Sequence, residues 1–180
     1  MNYMVIKKLD IANGPGCRVS LFVSGCDRKC EECFNPESWN PNNGEKFTEE
    51  TKQEIINALS NPYIEGFSIL GGDPFFPDNR EDVLGLLEDI RKVYPLKSIW
   101  VWTGYKYEDL IEDDICSEII HNIDFLVDGE FKIKLKDLKL QFCGSINQRV
   151  IDLHASNEVV TTIRDRYDWT KVEYRQYKLG

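Results

Sequence analysis

Residues 67–95 read FSILGGDPFFPDNREDVLGLLEDIRKVYP, and the change of period within this stretch decides the fold class. Phe67 to Leu70 is a short apolar run, of the length of a buried strand. It stops at the glycine pair of GGDP. Beyond Pro77, Val83, Leu86, Leu87, Ile90 and Val93 recur at helical spacing up to Pro95, and Asp78 followed by Glu81 has the form of a capping box. Strand, glycine turn, helix is one βα unit, and the chain holds others like it. Further apolar runs are VSLFV from Val19, SIWVW from Ser98 and DFLV from Asp124, with a weaker LQF from Leu140. Thr48 caps an expected helix whose first turn carries Glu49 and Glu50 and whose Ile55, Ile56 and Leu59 face inward; a third helix is expected over Tyr107 to Ile120. Alternating strands and helices predict an α/β fold with parallel strands and outer helices.

The 180 residues, 42% of them hydrophobic, are enough for one domain. A complete eight-stranded βα barrel takes about 250 residues, so the expectation is an incomplete (β/α) barrel of five or six units. No apolar stretch near the N-terminus is long enough for a signal peptide, and nowhere do enough apolar residues follow one another for a membrane span, which predicts a cytoplasmic protein. A net charge of −9 leaves no broad basic face for a phosphate backbone, so nucleic acid is not an expected partner.

In a parallel arrangement the carboxyl ends of the strands share one rim. The loops that meet there are distinctive: GCDRKCEECFN after the first run, GGDP after the second, TGY from Thr103, DGEF from Asp128 and CGSINQR from Cys143. The first places Cys26, Cys30 and Cys33 within eight residues. Three thiolates can hold three corners of an iron–sulfur cube and leave one iron open. Zinc is the rival, but a closed zinc site takes four ligands, commonly as two knuckles. Here there is no second C-x-x-C, His121 and His154 lie far along the chain, and only Cys17 stands near enough in sequence to complete a set. Cys17, Cys116 and Cys143 read as small hydrophobes. Trp100 and Trp102 share one face of their strand and read as packing groups, and Gly14-Pro15-Gly16 as a turn before the first run.

The C-x3-C-x2-C spacing, with GGDP after the next strand, resembles the radical S-adenosylmethionine (SAM) superfamily. Taken in order, NGPGCRVSLFVSGCDRKCEECFN, GGDPFFP, IWVWTGY, FLVDGEF and GSINQRVID are similar to one family within it, the activating proteins of the anaerobic ribonucleoside-triphosphate reductases. These are glycyl-radical-enzyme activases. The resemblance runs from about residue 1 to 153 and implies a radical SAM type of partial barrel over residues 1–154, with residues 155–180 as an extension.

It further implies a 4Fe-4S cluster on Cys26, Cys30 and Cys33, with SAM on the open iron. Glu32, Phe34 and Asn35 would lie against SAM, Gly71, Gly72 and Asp73 would meet its methionyl end, and Asp128 would hold a cation or a polar group of SAM, or simply form a turn. Asn147 and Arg149 would reach SAM or the partner. The implied partners are the reductase, whose backbone glycine would lose a hydrogen atom, and a flavodoxin-type reductant. Two positions depart from the pattern: Glu32 stands where many radical SAM enzymes have an aromatic residue, and Cys143 where the activating proteins commonly show arginine. The alternatives are the pyruvate formate-lyase activating enzymes, a radical SAM enzyme acting on a small molecule, and a non-catalytic iron–sulfur or zinc module.

Overall fold

The computed structural model describes residues 1–153 and 159–160. The runs at Val19, Phe67, Ser98 and Asp124 lie in four adjacent parallel strands. In chain order the elements are β1 (Asn2–Asp10), β2 (Arg18–Val23), β3 (Glu45–Lys46), α1 (Glu49–Leu59), β4 (Gly66–Gly71), α2 (Arg80–Val93), β5 (Ser98–Trp102), α3 (Tyr107–Leu110), α4 (Asp114–His121), β6 (Phe125–Asp128), β7 (Arg149–Asp152) and β8 (Val159–Val160). They form one sheet in the order β3-β1-β2-β4-β5-β6-β7-β8. The pairs β2–β4, β4–β5 and β5–β6 are parallel, while β1, β3, β7 and β8 pair antiparallel at the two flanks.

The expected incomplete barrel of parallel strands with outer helices is therefore wrong: this is a mixed sheet. The reason lies in the connections. Parallel neighbours need a crossover, usually a helix, and α1, α2 and the α3–α4 pair supply three. After β6 residues 130–148 form a 3-10 turn, Ile133–Leu135, and an isolated bridge between Lys136 and Ser145 but no crossover helix, so the chain re-enters the sheet antiparallel as β7. At the other flank the loop of residues 11–17 joins β1 to β2 and makes an antiparallel pair of chain neighbours. The faces differ as well. Val19, Leu21, Phe67, Ile69, Ile99, Val101 and Leu126 pack with Ile55, Leu86, Leu87, Ile90 and Ile119 of the helices in the main core. The opposite face carries Trp100, Phe125, Val127 and Val150 in a second, smaller cluster, which loops cover.

Local details also differ from expectation. Thr48 does cap α1, its hydroxyl accepting from the Thr51 N–H at 3.4 Å. The Asp78–Glu81 box does not form. A 3-10 turn, Pro77–Asn79, leads into α2, and the Asn79 amide donates to the carbonyls of Ser24 (2.8 Å) and Asp73 (2.9 Å), tying two rim loops together. Val93 is exposed at the end of α2. The third helix divides at residues 111–113, where Asp113 caps α4 by accepting from the Cys116 N–H at 3.0 Å. LQF is not a strand; it belongs to an irregular arch, residues 131–144. The extension expected at residues 155–180 lies outside the described residues, apart from β8.

Candidate functional site

The carboxyl ends of β2, β4, β5 and β6 open onto a cavity of about 550 Å³. Cys26, Cys30 and Cys33 line it from the β2 side, Gly71, Gly72 and Asp73 from β4, Trp102, Thr103 and Gly104 from β5, and the arch closes it with Phe131, Leu138 and Phe142. The sequence assigned five loops to one rim, and all five line this cavity, DGEF through Gly129 and Phe131 and CGSINQR through Cys143, Gly144 and Gln148.

The cysteine loop is held by its backbone. Gly25 N–H donates to Ser38 O at 2.7 Å, Cys26 N–H to Trp39 O at 3.1 Å and Cys33 N–H to Cys30 O at 3.1 Å. Lys29 (φ 47°) and Glu32 (φ 54°) take the left-handed conformation, which lets so few residues turn all three thiols toward the cavity. Burial, and then the Asp73 carboxylate, push the Cys26 thiol up to about 11; burial also raises Cys30. A metal must therefore displace protons to bind here, as thiolate ligands require.

GGDP is built by close approach. The Gly71 and Asp73 neighbours of Gly72 hold it so that an added Cβ would meet Gly25 O at 2.5 Å and Ser38 O at 3.0 Å. Glycine is needed there to dock the two loops, whatever else approaches it. Asp73 is buried, and its carboxylate accepts from Phe75 N–H (2.9 Å), Thr103 Oγ1 (2.8 Å) and Gly104 N–H (2.9 Å). Burial raises its pKa to about 6 against the pull of those donors. Its side chain thus binds β4's loop to β5's loop.

The other expected residues divide. Glu32 and Phe34 line the cavity, Phe34 at its mouth and fully exposed, so it is not a core residue. Asn35 does not line it; its carbonyl accepts from Ser38 N–H (3.1 Å) and Oγ (2.7 Å). Asp128 is also outside the lining. Its buried carboxylate accepts from Tyr107 N–H at 2.9 Å and from Arg149, whose Nε lies 2.9 Å away and whose Nη2 also donates to it. Arg149 in turn grips Glu108 with two bonds of 2.8 Å. Asn147 donates to Glu130 O at 2.8 Å.

Cys143, read from the sequence as a small hydrophobe, packs against the smaller cluster and lines the same cavity as the three loop cysteines, and burial pushes its thiol up to about 12. Sequence reasoning missed Arg28 and the arch. Trp100 and Trp102 do pack as expected: Trp100 stacks on Phe125 with centroids 4.5 Å apart, and Trp102 Nε1–H donates to Phe142 O at 2.8 Å, pinning the arch.

The donor set can be tested against an iron–sulfur cluster. Among the described residues no three His, Cys, Asp or Glu side chains gather closely enough to hold a single ion. A cubane has separate corners, so its thiolates need not converge on one point, and three soft donors around one cavity suit it. Residues 12–151 match the family model described as a 4Fe-4S single cluster domain. The chain is 45% identical over 150 residues to the anaerobic ribonucleoside-triphosphate reductase-activating protein of Enterobacteria phage T4, covering 83% of this chain and 93% of that protein. The chain belongs to this activating-protein family. It is also 45% identical over 152 residues to the Escherichia coli K12 member (83% of this chain, 97% of that one) and 41% identical over 150 residues to that of Vibrio cholerae (82% and 96%). The coverage of these relatives is nearly complete, and the family-model match ends at residue 151. No helix among the described residues is long and apolar enough to cross a membrane.

Proposed function

We propose that this chain activates an anaerobic ribonucleoside-triphosphate reductase by means of a 4Fe-4S cluster on Cys26, Cys30 and Cys33 and SAM bound beside it. When bound, the cluster supplies the electron that cleaves SAM, and the radical so released takes a hydrogen atom from a backbone glycine of the reductase. The observation that carries this reading is that the three cysteines of one loop and the glycine wall of the next, Gly71 and Gly72, open onto the same cavity. The relatives' shared name supports the target.

The chain's own residues bind, orient and exclude water. Three thiolates would leave one iron of a cubane without a protein ligand and open to SAM. Glu32, Phe34, Gly71 and Gly72, which line the cavity with the cysteines, would then contact SAM. Trp102, Phe131 and Phe142 give the cavity apolar walls, which would keep water from a reactive radical. Phe34 and Leu138, both exposed at the mouth, are placed to meet a polypeptide segment. The electron would come from a flavodoxin-type donor.

Anaerobic reconstitution should load about four irons per chain. Mixing this protein with SAM, a reductant and the reductase should give a glycyl-radical doublet by electron paramagnetic resonance and release 5'-deoxyadenosine. Replacing Cys26, Cys30 or Cys33 by Ala should abolish both signals. Tightly bound zinc with no iron-dependent absorbance, or a cysteine variant that still yields 5'-deoxyadenosine, would overturn the reading.

A further inference from the structure

Between Cys26 and Cys30 the chain places an acid and a base side by side, and neither has a role in the function just proposed. Arg28 Nε donates to Asp27 Oδ1 at 2.9 Å and its Nη2 to Asp27 Oδ2 at 3.2 Å. The pair reaches across to the β5 loop. Tyr105 Oη donates to Asp27 Oδ2 at 2.8 Å, and the guanidinium lies over the Tyr105 ring, 4.3 Å from its centroid. Gly104 makes room for this, since a Cβ there would stand 2.5 Å from Arg28 Cγ. Arg28 lines the cavity beside the three cysteines, and its side chain is 34% exposed. It is thus a partly desolvated cation at the wall, opposed by one carboxylate.

We propose that Asp27, Arg28 and Tyr105 form an electrostatic latch that seats the cysteine loop on the β5 loop and sets the reduction potential of the iron–sulfur cluster the loop holds. The inference rests on the function proposed above. All three are positioning residues. The step concerned adds one electron, from an external low-potential one-electron donor, to the cluster; no bond forms or breaks and no proton moves. A cation at the cavity wall favours the state with the additional electron, and an anion disfavours it. The two charges of the latch therefore act in opposite directions, and Tyr105, by holding both in place, fixes their balance.

Opposite signs make the test specific. In the anaerobically reconstituted full chain, the midpoint potential is measured by a redox titration followed by electron paramagnetic resonance, with iron per chain as the control. Arg28→Gln should lower the potential and Asp27→Asn should raise it. Each shift should correspond to roughly a tenfold change in the reduction equilibrium, or about 59 mV for one electron. Arg28→Lys keeps the charge and should keep the wild-type potential. A role confined to shaping the loop would move both neutral variants the same way or neither. Either result, with iron retained, overturns the proposal, as does a shift in Arg28→Lys equal to that in Arg28→Gln. If Arg28→Gln loses its iron, Asp27→Asn and Arg28→Lys decide the matter. A wild-type chain that takes up no iron–sulfur cluster would instead remove the proposed function itself.

Discussion

Arg18 carries a full charge into a site with no exposed surface, and five hydrogen bonds receive it there. Nε donates to Ser68 Oγ (2.7 Å), Nη1 to Ser98 Oγ (2.8 Å) and Pro15 O (3.2 Å), and Nη2 to Phe67 O (2.7 Å) and Ser98 O (2.8 Å). One side chain thereby joins β2, β4, β5 and the turn before β2. The glycine of that turn at residue 14 has φ +113°, and a Cβ on it would come within 2.9 Å of Arg18 Cδ. The motif NGPGCR is thus a wrapping for a guanidinium. Arg18→Met keeps much of the volume but leaves hydroxyls and carbonyls buried without donors. It should cost about 3 kcal/mol or more, read from the urea midpoint of the cluster-free protein. A loss below about 1 kcal/mol would mean that the surrounding groups find other partners.

Among the elements, α2 shows most clearly how packing and propensity divide the work. Val83, Leu86, Leu87 and Ile90 bury one stripe of it, and Arg91 anchors its end, donating to Asn122 O (2.8 Å), Lys97 O (2.9 Å) and Asp124 Oδ2 (2.7 Å). Asp124 Oδ2 also accepts from the Ile99 N–H at 2.6 Å, so a buried ion pair fixes the helix to the starts of β5 and β6. The same helix contains Gly85, where an added Cβ would meet nothing within 4 Å. Gly85→Ala should stabilise the fold by about 0.5–1 kcal/mol through backbone entropy alone, seen as a raised melting temperature. A lowered one would reveal crowding at that position. At the other end of the sheet, Arg149 holds Glu108 of α3 and pulls its carboxyl down to about 2 from an ordinary 4.5. A depressed acid stabilises the fold above its unfolded pKa, so this contribution is whole above about pH 4.5 and fades as the pH falls toward about 2. Because Glu108 is 57% exposed, the contribution is at most about 1 kcal/mol. The stability gap between wild type and Glu108→Gln should be present at about pH 7 and should shrink by about pH 3; a gap that does not change with pH would assign it to packing.

For the whole molecule, what could be read in the chain was what is written locally. The four central strands are continuous apolar runs because both of their faces are buried, and the helices between them keep their period. β1 escaped notice because it lies near an edge, where Lys7, Lys8 and Leu9 stand exposed and break the alternation. β7 is four residues long and opens on an arginine that is already engaged with β6. Whether a sheet closes or stays open depends on which edges meet, and no local pattern records that, so the partial barrel expected from the βα alternation and the resemblance did not follow. The site divides similarly. Three cysteines and a glycine pair each stand within one short local motif, whereas Asp27 meets Tyr105 across 78 residues. For Asp128 the resemblance left a ligand role and a plain turn both open, and its partners Tyr107 and Arg149 come from two other elements that no local pattern joins to it.

The position of Arg18 has a consequence for how such a protein can change over generations. Four of its bonds knit the amino ends of β2, β4 and β5, the ends remote from the cavity, while the opposite ends of the same strands carry the loops that line it. Strand order is thus secured at one margin and novelty is accommodated at the other. Rim loops can accept insertions and new side chains while the sheet beneath them keeps its pairing, so one scaffold can be fitted to different targets without being invented again.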